Sequence, residues 1–234
     1  MATDGVERGS PMGLRRFLEP ASTASPVPDL RRFLEPKPRP APGERCEFCT
    51  EILAPAHSHV VDVEGRSLRC ACRACWFLFA SDGAAGGRYR SVPERYQHDE
   101  GFLLTDAQWE TLQIPVGMAF FFVNSVGGDA VAFYPSPAGA TESLLPIGIW
   151  QDLTTTNLML QGMAPDVEAL LVRRERGGPR QAFLVPIDAC YELVGIIRRT
   201  WKGFDGGQEA HDAIDGFFAD IAEKSRSVVT GRTS

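Results

Sequence analysis

Cys46-Glu47-Phe48-Cys49 and, 22 residues further on, Cys72-Arg73-Ala74-Cys75 are two C-x2-C knuckles within one short stretch. A C-x2-C turn points two sulfurs at one centre, and two such turns complete a tetrahedron of thiolates, the donor set of closed zinc sites. The spacer is a little longer than the roughly 15–20 residues usual between paired knuckles. It has room for a hairpin, Val60–Val63 against Arg66–Arg69, turning at Glu64-Gly65. A knuckle, a hairpin, and a second knuckle running into Trp76-Phe77-Leu78-Phe79 is the order of a zinc-ribbon or treble-clef-like module over residues 44–82. Iron is the competing metal, because four thiolates also suit an iron-thiolate redox carrier. Phe48 and Arg73 are bulkier than the small residues of rubredoxin-type knuckles, and this favours zinc.

The same stretch holds three more donors, Cys70, His57 and His59. On a strand the two histidines share a face. The histidines are read as alternative ligands, a second site, partners that orient the four thiolates, or a pair satisfied without metal, and Cys70 as an alternative ligand or a buried neighbour. An HNH-like nuclease, or another nucleic-acid-binding module, would also carry a histidine between the knuckles. It would need a further metal-ligating histidine or asparagine after the second knuckle, and Trp76–Ala80 supplies none. The formal net charge of −6 also argues against nucleic acid as the partner.

Outward from the knuckles, residues 1–43 hold 8 of the 17 prolines and read as a disordered, Pro-rich arm. Within it Leu14-Arg15-Arg16-Phe17-Leu18-Glu19-Pro20 recurs as Leu30-Arg31-Arg32-Phe33-Leu34-Glu35-Pro36. A duplicated docking peptide, with Arg31, Arg32, Phe33 and Leu34 as partner-binding residues, is one reading; a duplication without function is the other. Residues 83–100 begin in a glycine-rich run and read as a linker.

Residues 101–226 carry the pattern of an α+β domain. Thr105 and Gln108 form a capping-box signature, and Pro115 ends that helix. Met118–Asn124 and Ala130–Tyr134 read as a hairpin, as do Asp166–Arg174 and Gln181–Ile187 around Gly177-Gly178-Pro179. Pro135–Gly139 reads as a loop and Pro146–Leu153 as a short helix. Asp188 is placed to cap a helix whose Cys190, Leu193, Val194, Ile197 and Trp201 share one face. A last helix carries Ala210, Ile214, Phe217, Phe218 and Ile221 on its apolar side. The expected fold is an antiparallel sheet with two C-terminal helices, followed by a disordered tail over 227–234.

The 234 residues, 44% hydrophobic, suffice for one ordinary core or two small ones. Six cysteines are too few for a disulfide scaffold. No apolar run reaches the roughly 20 residues of a membrane span, and Met1–Ser10 has no apolar signal region, so a cytoplasmic protein is expected. There is no Walker A, G-x-G-x-x-G or G-x-S-x-G motif, and no nucleophile, base and orienting acid assemble. Cys190 falls on a packing face. No catalytic residue is assigned, and a non-enzymatic protein is expected.

Several longer stretches are distinctive together with the knuckles. They are Leu30–Pro36, Ile114-Pro115-Val116-Gly117, Ala132–Ser143, Pro186–Leu193 and Trp201-Lys202-Gly203-Phe204. In these residues, from about 28 to 223, the chain resembles DUF5947, a mainly actinobacterial family of unknown function. The first Leu-Arg-Arg-Phe-Leu-Glu-Pro copy lies outside the usual pattern. Members tend to be encoded beside nickel–iron hydrogenase genes. The resemblance therefore implies a hydrogenase accessory role, with a hydrogenase subunit or maturation factor as partner, and it assigns no catalytic residues.

Overall fold

Strand β1 (Ser58–Asp62) pairs with β2 (Ser67–Ala71) on one side and with β3 (Tyr89–Ser91) on the other, both antiparallel. This three-stranded sheet carries the cysteine knuckles, the second of which opens helix α1 (Arg73–Leu78). The structure is a computed structural model that describes residues 44–81, 83–143, 145–174, 180–203 and 205–228. The readings made above for residues 1–43, including Arg31, Arg32, Phe33 and Leu34, for the turn at 177–179 and for 229–234 lie outside the described residues.

The larger sheet has seven strands among the described residues, in the order β10-β4-β9-β8-β5-β6-β7. They are β4 (Gln97–His98), β5 (Met118–Val123), β6 (Ala130–Ser136), β7 (Gly139–Ser143), β8 (Glu168–Arg174), β9 (Arg180–Pro186) and β10 (Arg226–Ser227). All neighbours are antiparallel except β10 and β4, which are parallel. The stretch read as a linker thus contains β3 and β4, and residues 226–228 lie against β4 through Arg226 N–H to Tyr96 O and Val228 N–H to His98 O.

Strand alternation divides the core. Ala169, Leu171, Phe183 and Val185 face helices α4 (Ile187–Thr200) and α5 (Gly207–Lys224). Leu170, Val172, Ala182 and Leu184 face α2 (Asp106–Thr111) and α3 (Ile147–Thr156), where Trp109, Leu112, Ile149 and Leu153 are buried. The expectation of a sheet with two C-terminal helices describes only the first face. The uninterrupted apolar runs Ala169–Val172 and Ala182–Val185 are the mark of strands covered on both sides.

Local chemistry explains the element ends. Thr105 and Gln108 make both bonds of the capping box that starts α2. Helix α5 starts at Gly206, whose φ of 90° and close approach to the Trp201 ring leave no room for a side chain. Strand β6 runs through Pro135, where a loop was expected. Its pairing with β5 ends at Phe133, so the missing proline N–H costs no bond on that side, and Ser136 and Gly139 close the turn into β7.

Two buried carboxylates tie segments together. Glu168, only 1% exposed, accepts from Arg95 and from the Ala164 amide. Asp62 accepts from Arg88 and from the Gly65 amide, fixing the β1–β2 turn. The Arg88 hydrogen bond holds the Asp62 carboxyl below the usual carboxylate range. Arg95→Ala leaves Glu168 buried without its cation, and urea unfolding should report a loss of about 3 kcal/mol, the low end for a broken buried pair because Arg95 is partly solvated. A carboxyl depressed in the folded state stabilises above its unfolded pKa of about 3.9 and loses that contribution as pH falls through the folded value. Unfolding midpoints of Asp62→Asn should therefore be lower than wild type at pH 7, and the gap should close as pH drops below about 4.

Candidate metal centre

The first knuckle is a tight hairpin. Arg45 bridges Ile52, Cys46 N–H donates to Glu51 O at 2.8 Å, and Thr50 N–H donates to Cys46 O at 2.8 Å. Thr50 takes a left-handed φ of 65° to complete the turn. The second knuckle ends β2 and starts α1, with Cys72 at the cap position and its sulfur 3.5 Å from the Cys75 amide. Phe48 from the first knuckle packs tilted against Phe79 and edge-on to Tyr89, at ring-centre distances of 4.9 and 5.4 Å. Trp76 anchors the far side by donating Nε1–H to Val92 O. Together with buried Val60 and Ala71 these contacts make a small core of which Cys46 and Cys75 are part.

Within this frame one sulfur from each of Cys46, Cys49, Cys72 and Cys75 lies within 4.8 Å of all the others, and Cys49 and Cys72 are 3.6 Å apart. A zinc–sulfur distance of about 2.3 Å in a tetrahedron requires sulfurs about 3.8 Å apart, so the set fits a tetrahedral ion with small side-chain adjustment. Cys46 and Cys75 are buried, Cys49 is exposed, and none of the six cysteines is in a disulfide.

The electrostatics of the four thiols are uneven. Burial pushes the Cys46 thiol up, but the amides of Cys72, Cys49 and Phe48 outweigh it and bring it down to about 6. The Glu51 amide draws Cys49 down, yet the Cys46 and Cys72 sulfurs prevail and raise it. Burial and then the neighbouring sulfurs push Cys75 upward. One sulfur takes negative charge and its neighbours hold their protons against it, a conflict that a cation among them relieves.

His57, His59 and Cys70 form a separate group, again with one donor atom each within 4.8 Å. His59 and Cys70 face each other across β1 and β2. His59 Nδ1 is 2.9 Å from Asp188 Oδ2. Asp188 was read as a helix cap; α4 instead starts at Pro186 without a side-chain cap, and the carboxylate turns to His59. Cys190 is fully buried in the main core, where burial raises its thiol.

Glu47 is a residue that the motif reading passed over. Its carboxylate accepts from the Cys70 amide at 2.9 Å and from Arg69 at 2.8 Å, and its own amide donates to Cys70 O. The Arg69 hydrogen bond holds its carboxyl below the usual range. The position inside the knuckle, beside a ligand-type cysteine, was the available signal.

The fold and the site define an α+β protein with a four-cysteine cluster able to hold a metal ion. The chain belongs to the family of unknown function DUF5947, whose model matches residues 45–225. No curated protein and no solved structure matches it. The matched span starts after Leu30–Pro36, so neither copy of the repeat falls within it. No helix among the described residues is long and apolar enough to cross a membrane. Glu47→Ala removes the carboxylate bonds to the Cys70 amide and Arg69 while leaving the Glu47 N–H bond to Cys70 O and every sulfur in place. Its metal affinity, read by competition with a chromophoric chelator, should fall about 10-fold or more.

Proposed function

We propose that this chain is a non-enzymatic accessory protein whose residues 44–82 form a zinc-ribbon or treble-clef-like module. Cys46, Cys49, Cys72 and Cys75 hold a zinc ion there, and the ion supplies fold stability rather than chemistry. The convergence of four sulfurs from two knuckles, within 4.8 Å of one another, carries this reading. Four protein thiolates saturate a tetrahedral ion, which suits a structural role.

A protein partner fits the surface of this module. Phe77 and Leu78, adjacent on α1, are 59% and 69% exposed, and Arg73 lies over the Trp76 and Phe77 rings. Exposed apolar residues beside a cation are a common feature of protein-binding surfaces. The partner that follows from the family resemblance is a nickel–iron hydrogenase subunit or one of its maturation factors. The repeat residues Arg31, Arg32, Phe33 and Leu34 are proposed as a second contact.

Metal analysis of chain purified without a chelating tag tests the centre. Replacing all four cysteines by serine should remove about one zinc equivalent relative to the unmodified chain and should lower thermal stability. A visible chromophore that bleaches on reduction would place iron at the same thiolates instead. An unmodified chain that is folded and whose metal content is unchanged by the four substitutions would overturn the reading.

A further inference from the structure

We propose that His57, His59 and Cys70 form a second metal site, independent of the four-cysteine centre, for a divalent transition ion of the zinc and cobalt class. Three donor atoms lie within 4.8 Å of one another there. Tetrahedral coordination at usual bond lengths needs donors about 3.3–3.8 Å apart, so the side chains would draw together around the ion.

Hydrogen bonding fixes which ring nitrogens are available. His57 Nδ1 is 3.0 Å from Ala54 O, and a carbonyl only accepts, so this nitrogen carries the proton. His59 Nδ1 is 2.9 Å from the Asp188 carboxylate, which sets the same tautomer. With Nδ1 as the donor in each ring, the lone pair that a metal ion would take is the one on Nε2. At His57 that atom is buried and has no hydrogen-bond partner, in a side chain only 8% exposed. A buried acceptor without a donor is costly, and a cation bound at this nitrogen would satisfy it. The two ring centres are 4.8 Å apart, close enough to converge on one centre.

The surroundings match those of a ligand pair. A histidine that binds metal through one nitrogen usually donates its other N–H to a carboxylate or a carbonyl, and here Asp188 and Ala54 fill both roles. Asp188 comes from α4, whereas the three donors come from β1, β2 and the turn before them. Cys70 supplies the thiolate from the strand position opposite His59. A cleft of about 290 Å³ lined by His57, His59, Glu94, Tyr96 and Asp188 lies over the histidines. Three protein donors, of which His57 and His59 line the cleft, leave a coordination position for water or an exchangeable ligand, unlike the closed four-thiolate set.

Native mass spectrometry of the full chain equilibrated with zinc, with cobalt then added to the zinc-loaded form, tests this. The wild type should hold about two ions per chain, whereas His57→Ala and Cys70→Ser should hold about one. Asp188→Asn removes no donor and should weaken the second ion about 10-fold or more while the first stays bound. Cys49→Ser should lose the first ion and keep the second, so failure of the four-cysteine reading is separately visible. A wild type whose ion count is unchanged in both His57→Ala and Cys70→Ser would overturn the proposal. If His57→Ala fails to fold, the Asp188→Asn titration decides, and an unchanged second affinity there overturns it.

Discussion

Strand β1 has no face turned to solvent, and that constraint organises everything around it. Val60 closes the small core behind Cys46 and Cys75, while Val61 belongs to the main core with Leu171, Phe183 and Ile187. Strict alternation along five residues therefore serves two cores at once. A slip of one residue would turn Val60 away from the cysteines and carry His59 away from Asp188. The knuckles, the histidine group and helix α4 are thus held by one register.

That register is pinned by charge as well as by packing. Asp62, at the end of β1, gathers Arg88 and the Gly65 amide at the turn. Glu47 and Arg69 hold the other edge, linking the first knuckle to β2. Arg90, on β3, reaches Pro165 O and Asp166 beyond the small sheet. These contacts join segments far apart in sequence, so the cysteine module does not pack as an isolated bead.

Features governed by local chemistry were legible in the sequence. The capping box of α2, the apolar faces of α4 and α5, and the two long hairpins follow from spacing and turn residues. The sulfur pairing of the candidate centre was legible too, because C-x2-C geometry is itself local. Strands β3, β4 and β10 were not, since two or three residues carry no period and exist only through partners elsewhere in the chain. Asp188 illustrates the same limit. Its position invites a cap, but its partner His59 lies 129 residues away and no spacing rule connects them. Helices α2 and α3 were legible as helices, but their place over the second sheet face was not, because no spacing within them names the strands they cover.

The ladder around β4 sets an order on synthesis. Gln97 and His98 emerge early, yet their partners are Leu184 and Phe183 on one side and Arg226 and Ser227 on the other. The two knuckles lie within a 30-residue span, Cys46 to Cys75, and can approach each other before either partner exists, while their packing is completed by Phe79, Tyr89, Val92 and the main core. A nascent chain therefore carries an open strand edge beside a cysteine segment that is not yet fully packed. The edge remains sticky until residues 180–186 and then 226–227 leave the ribosome. Translation speed through α4 and α5 accordingly sets how long the chain is exposed to misassembly, a burden that falls on synthesis rather than on the finished fold.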